Sequence, residues 1–269
     1  MSQWIAVSRT QHADSYFWPR QGYGFAAQEQ VVPILIAELT KLLPHYTLGF
    51  IQQGEGSHQS SHQHYQPVAL TGLGGERNLY VHSDGRWLAS YVPSILWGYP
   101  FRMAKADNDQ PVLAIEQDSL TDEPSAQPLF DEEGNLTDKV QQTLNFLTQC
   151  DKNRQVTHAA SRVLGESGLI EPWPLKLERG EGQEPLTVQG LYRINEKALN
   201  ELDAESFANL RSHGALALAY AQLFSMSQLS QLAERAKFHA KQQTGQPEAE
   251  NIDNLLGGDD DDLTFDFGD

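Results

Sequence analysis

The sequence predicts an α+β protein: a largely antiparallel sheet with packed helices and a helical C-terminal part, followed by a disordered acidic tail. Short β-branched and aromatic runs broken by Gly, Asp and Ser turns dominate residues 48–116, whereas apolar spacings of three and four dominate from Thr137 onward. Hydrophobic periodicity stops at Gln242, where Gln, Gly, Pro, Glu, Asn and Asp take over. The predicted organisation is one α+β domain over residues 1–241 and a flexible acidic tail over 242–269.

Val32, Ile36, Leu39 and Leu43 lie three and four apart, which predicts a buried helical stripe over 31–43 that Pro33 opens from its first turn. Residues 48–52 and 66–71 read as strands flanking a Gly/Ser/His/Gln loop. Residues 79–82 and 86–90 read as a hairpin across Ser83-Asp84-Gly85, and 112–116 as one more strand. From Thr137, a candidate N-cap, Val140, Leu144 and Leu147 form an apolar stripe beside Phe146 and Cys150. That helix ends near Asp151 or continues to Leu164, before Gly165 and Gly168 break it. Residues 172–177 and 186–194 are extended, and Asn195 and Asp203 have the chemistry of helix caps. Residues 214–226, small and apolar almost throughout, predict a buried helix. The helical tendency continues over 228–241, with Leu229, Leu232, Ala233 and Ala236 on one face.

At 269 residues and 39% hydrophobic, the chain has enough apolar material for a sizeable core. Its formal charge of −17 is unevenly placed: nine acids and no base follow Lys241, leaving about −8 on the body. A broad basic surface for nucleic acid is therefore not expected. No apolar run approaches the roughly 18–20 residues of a membrane span. Met1-Ser2-Gln3-Trp4-Ile5 does not resemble a secretory leader, so a cytoplasmic location is expected, with export to the cell surface independent of a signal peptide as the alternative. Cys150 is the sole cysteine, which rules out an internal disulfide or a cysteine metal cluster; it reads as a small buried residue rather than a nucleophile.

Motifs for chemistry fall short of their requirements. His58, His62 and His64 place three imidazoles in a loop without strong neighbouring ligands, so a solvated loop is expected rather than a metal site. Gly72, Gly74 and Gly75 lack both the third glycine of a dinucleotide fingerprint and the Lys-Ser/Thr of a P-loop. Gly165-Glu166-Ser167-Gly168 follows a helix and reads as its stop, not as a nucleophile elbow. The stretch beginning Gly257-Gly258-Asp259 approximates one calcium-binding nonapeptide, but such repeats need stacked copies. No metal and no cofactor is expected.

Two features carry the functional expectation. Arg86, Trp87, Tyr91, Trp97, Tyr99 and Arg102 form a dense arginine and aromatic block, suited to gripping a partner or a planar or anionic ligand; core packing explains most of its aromatics equally well. In the tail, Asp259, Asp260, Asp261 and Asp262 precede Leu263, Phe265 and Phe267, an interleaving of carboxylates and apolar side chains suited to a basic groove with apolar pockets. A plain solubilising tail has the same composition.

The block from Asn78 to Phe101, with its Asp84-Gly85 turn and Tyr99-Pro100-Phe101, resembles the bacterial SapC family. Val32-Pro33 with Glu38, Pro67-Val68-Ala69-Leu70 with Gly72-Leu73, Leu129-Phe130 before Gly134, Gly190-Leu191-Tyr192, and Gly214 with Tyr220-Ala221-Gln222-Leu223-Phe224-Ser225 follow in the family's order. The similarity covers roughly residues 1–240. This chain has Trp97-Gly98 where members often carry basic residues, and residues 54–64 and the tail look like additions. The peptide-transporter permease also called SapC is a multi-span membrane protein and a different molecule.

The resemblance brings no established catalytic residues. It implies a non-enzymatic accessory or surface-layer-associated protein that binds a protein partner, the tail serving as a docking or export element. Relatives are often encoded near flavin-dependent halogenase-like and cupin-like proteins, which suggests such a halogenase-like protein or a surface-layer protein as the partner. The alternative is a small-molecule binder or enzyme using an arginine and aromatic cleft around residues 86–102, with Glu38 or Asp118 as acid–base groups.

Overall fold

Many short β-forming runs separated by turn residues give many short strands. A computed structural model of the chain describes residues 3–53, 64–72, 74, 77–106, 109–177 and 186–243. The chain enters through β1 (Trp4–Ala6), α1 (Arg9–His12), β2 (Tyr16–Phe17), β3 (Val31–Pro33) and α2 (Leu39–Leu42). Strands β4 (Leu48–Gln53), β5 (His64–Leu70), β6 (Phe101–Lys105), β7 (Pro111–Glu116), β8 (Leu120–Thr121) and β9 (Gln127–Pro128) follow. A long helix, α3 (Asp138–Glu166), leads to β10 (Ile170–Pro172), β11 (Leu175–Leu177), β12 (Leu186–Val188) and β13 (Leu191–Ile194). Four helices come next: α4 (Glu196–Asn200), α5 (Ala204–Ser212), α6 (Ala215–Ser225) and α7 (Leu229–Gln243).

The main sheet has the order β10-β13-β4-β5-β3, and its pairings are antiparallel. Strand β5 lies between β4 and β3, and from Tyr65 to Leu70 every residue is buried. Helix α3 packs on it, with Ser161 Oγ donating to the Tyr65 carbonyl at 2.6 Å. Helix α6 ties into the same sheet through two polar side chains in its apolar run. Gln222 accepts from Ile194 N–H at 2.9 Å and donates to the Leu48 carbonyl at 3.2 Å. Ser225 Oγ accepts from Leu48 N–H at 2.9 Å. Both groups are buried, so their partners in β4 and β13 offset the cost of removing them from water.

Two smaller sheets, β1-β7-β6 and β8-β2-β9, lie around a second core of Phe17, Phe101, Leu113, Ile115, Leu129, Val140 and Leu147. Strands β11 and β12 pair with each other. Helix α3 serves both cores: Val140 and Leu147 near its start enter the second, and Ala160, Val163 and Leu164 near its end enter the main one. Its 29 residues, about 43 Å at 1.5 Å per residue, make that reach possible.

The expected sheet of packed strands and helices is present, and of the two ends allowed for α3 the later is found. Asn195 and Asp203 cap α4 and α5, accepting from Ala198 N–H and Ser206 N–H. Thr137 stands at the N-cap of α3 but directs its hydroxyl to the Pro128 carbonyl instead.

Two elements differ from expectation. Residues 31–43 do not form one helix: Val31 and Val32 pair with Leu70 and Ala69, and helix begins only at the 3-10 turn Ile36–Glu38. The β-branched pair favours the pleated edge, and Pro33 is tolerated because β3 is an edge strand. The hairpin over 79–90 shrinks to one bridge between Val81 and Trp87. Leu88 N–H still donates to the Tyr80 carbonyl and His82 N–H to the Arg86 carbonyl, while the Leu79 and Leu88 carbonyls are bonded by His239 and Arg235 of α7.

Candidate interaction surface

Within the arginine and aromatic block, burial separates inward from outward side chains. Trp87 and Tyr91 point inward, at 8% and 5% exposure. Trp87 Nε1 donates to Tyr46 Oη at 2.8 Å, and Tyr46 in turn donates to the Tyr91 carbonyl. The Tyr46 and Tyr80 rings lie 4.6 Å apart, and Tyr23 meets Trp87 edge-on at 5.3 Å. Burial pushes the Tyr80 hydroxyl up to about 12 and raises Tyr46 well above the ordinary phenol range, so both stay neutral donors.

Tyr91 ends on Glu38, whose carboxyl is 2% exposed. One oxygen of Glu38 accepts from Leu35 N–H at 2.8 Å; the other accepts from Tyr91 Oη at 2.7 Å and Ser94 N–H at 2.8 Å. Burial raises its pKa, outweighing the donors that pull it down. The neighbouring Cys150 thiol is pushed up to about 12, first by burial and then by Glu38. Such a thiol is protonated at neutral pH and is a poor nucleophile. Glu38 therefore works as a staple between the 35–38 turn and the 91–94 turn, both of its oxygens engaged by the fold itself.

The outward half is assembled from distant segments. Tyr99 stacks on Phe25 with centroids 3.9 Å apart and planes 4° from parallel, and its hydroxyl donates to Glu116. Phe25 is 38% exposed and Trp18 39% exposed. The backbone N–H of Trp18 donates to the carbonyl of Ser119, a residue that also bonds Tyr99. Arg102 is exposed on β6 with its guanidinium 4.2 Å over the Trp4 ring. Arg86 is exposed at the Asp84 turn and pairs with that carboxylate at 3.3 Å. Trp97 is half-buried and donates to the Val92 carbonyl at 2.9 Å.

The six residues singled out in the sequence thus divide. Trp87 and Tyr91 belong to the core, Trp97 and Tyr99 are half-buried, and Arg86 and Arg102 reach the surface with different partners. Asp118 stands on a short 3-10 turn next to Ser119 and does not share the Glu38 staple. Phe25, which completes the stack, is missed by reading the 78–101 block alone: Phe25 and Tyr99 are 74 positions apart and no local pattern links them. Among the described residues no group of three His, Cys, Asp or Glu converges as a metal site. His58 and His62 lie outside the described residues, as do Asp259, Asp260, Asp261, Asp262, Leu263, Phe265 and Phe267. No helix among the described residues is long and apolar enough to cross a membrane.

These features define an α+β protein with antiparallel sheets, a stapled polar core and an aromatic face built around Phe25 and Tyr99. The chain belongs to the SapC family, whose model, described as SapC, matches residues 7–232. No curated protein and no solved structure matches the chain.

Proposed function

We propose that this chain is a non-enzymatic accessory protein that binds a protein partner, using the face formed by Trp18, Phe25 and Tyr99, with Arg86 and Arg102 as flanking charge. The observation that carries this reading is the Phe25–Tyr99 stack, whose Phe25 is 38% exposed: large rings held at the surface are the anchors that partner sites favour. The buried ends of the same block, Trp87 and Tyr91, are consumed by core hydrogen bonds, which disfavours a deep ligand cleft there. The acidic, Phe-bearing tail adds a second contact by raising the local concentration of a partner already engaged. A surface-layer protein or a flavin-dependent halogenase-like protein is the class of partner that the family resemblance suggests. The cytoplasm is the proposed compartment, with the cell surface as the alternative.

The test is site-directed photo-crosslinking in cells, with the crosslinker at position 18 and, as a control, at position 207, where Phe207 is 38% exposed on α5. The expected result is one discrete adduct from position 18 that is absent from 207 and lost in the Phe25→Ser variant. Equal, diffuse labelling from both positions would sink the proposal. A chain ending at Lys241, tested alongside, should retain the adduct at lower yield if the tail is a tether.

A further inference from the structure

Away from the aromatic face, α3 carries Arg154, His158 and Arg162 at intervals of four residues, which places them on one side of the helix, where α3 packs on β5. There they line a cleft of about 490 Å³ together with His64, Tyr65, Gln155 and Ala159. The volume falls in the range of small-molecule sites, roughly 300–1,000 Å³. Among the described residues no carboxylate lines it, in a chain of formal charge −17.

We propose that this cleft is an oxyanion site, taking a small organic ligand that carries phosphate or carboxylate groups. Arg154 pairs with Asp151 at 3.0 Å and Arg162 with Glu166 at 3.9 Å, neither acid being part of the cleft lining. A guanidinium has five N–H donors, so one such pairing leaves others for a ligand, and both side chains are partly exposed, at 38% and 57%. Nε2 of His158 is shielded and has no hydrogen-bond partner among the described residues. Burial first, then Arg154 and His64, hold its imidazole below the usual range. The floor is fixed rather than pliable: Ser161 Oγ binds the Tyr65 carbonyl at 2.6 Å, locking α3 to β5 beneath the cations. Over the two turns from Arg154 to Arg162 the helix rises about 12 Å, a span that fits a ligand with more than one acidic group.

The experiment is isothermal titration of the full chain with inorganic phosphate and, separately, with citrate, at ionic strength held constant with chloride. Three proteins are compared: wild type, Arg154→Gln/Arg162→Gln, and a charge-matched control, Lys105→Gln/Lys197→Gln. The expected result is saturable binding of at least one probe to wild type and control, weakened at least tenfold by the paired arginine substitutions. Tighter binding of phosphate would assign the ligand as a phosphate ester, and tighter binding of citrate as a polycarboxylate. Imidazole proton resonances of His158 should move with the same saturation curve, a readout independent of any effect on folding. Absence of saturable binding by either probe, or equal weakening in both variants, would overturn the assignment. The aromatic-face variant Phe25→Ser leaves this binding unchanged, because the cleft uses none of its residues.

Discussion

Glu38 shows how one side chain sets the chemistry of its surroundings. Its carboxyl offers two oxygens to three donors, whereas an amide offers one. The Glu38→Gln variant therefore leaves either Leu35 N–H or Ser94 N–H facing an NH₂ group, and should lose about 1–3 kcal/mol in urea denaturation at pH 4. The pH dependence follows from the direction of the shift. Burial raises the folded-state pKa above the ordinary 4.5, so folding favours the protonated form. That contribution is complete below 4.5 and is lost as pH rises through the folded-state pKa. The stability difference between wild type and Glu38→Gln should accordingly shrink as pH increases from 4 upward. A difference that grows instead would mean that the three donors, not burial, dominate. The Cys150 thiol beside it should react slowly with an alkylating reagent in the native state and quickly in urea, as expected of a buried, protonated group.

At the scale of elements, α7 explains why the 78–91 segment holds its shape without a ladder. Arg235 lies 4.4 Å over the Tyr80 ring and donates to the Leu88 carbonyl, while His239 bonds the Leu79 carbonyl at 3.0 Å and meets Arg77 at 3.3 Å. Both α7 residues fall after position 232, where the family match ends. Replacing Arg235 with Ala should cost about 1–3 kcal/mol, the loss of a charge-assisted hydrogen bond together with a cation–π contact. Native-state hydrogen exchange checks the mechanism: amides over 79–88 should exchange faster in Arg235→Ala while those of β4 and β5 do not. Uniform acceleration across the sheet would show that α7 supports the whole body rather than this segment. Leu232, fully buried, and Leu229 and Ala236 beside the core confirm the apolar face read from spacing, but the polar latch on the same helix has no periodicity to announce it.

For the whole molecule, the feature with the widest consequence is that one helix enters both cores. Leu147 packs in the second core and Leu164 in the main one. Either residue replaced by Ala should cost about 2–5 kcal/mol, and because the helix is continuous both variants should shift a single transition. Denaturation followed by tryptophan fluorescence and by far-UV circular dichroism should give coincident curves. Separate transitions in Leu147→Ala would show that the second core unfolds on its own. The aromatic face is expected to matter less at this scale: Phe25→Ser removes the stack on Tyr99, worth about 0.5–1.5 kcal/mol, and should lower the midpoint less than either core variant.

Much of the architecture was legible in the chain itself, because it depends on neighbours within a few residues. The strands at 48–53, 64–70 and 111–116, the start of α3, the caps Asn195 and Asp203 and the buried α6 follow from alternation, helical spacing and side-chain chemistry that act locally. Charge distribution was equally plain, and so was the inertness of Cys150. Segment 31–43 misled because Val32, Ile36, Leu39 and Leu43 satisfy a helical stripe, whereas pairing of Val31 and Val32 with Leu70 and Ala69 on β5 decides for a strand at its start. Which face of the 78–101 block is core, the union of Phe25 with Tyr99 across 74 positions, and the arginine–histidine cleft between α3 and β5 were decided by tertiary structure alone. Each depends on contacts between segments remote in sequence, whose energies arise only once the sheets and α3 have brought them together.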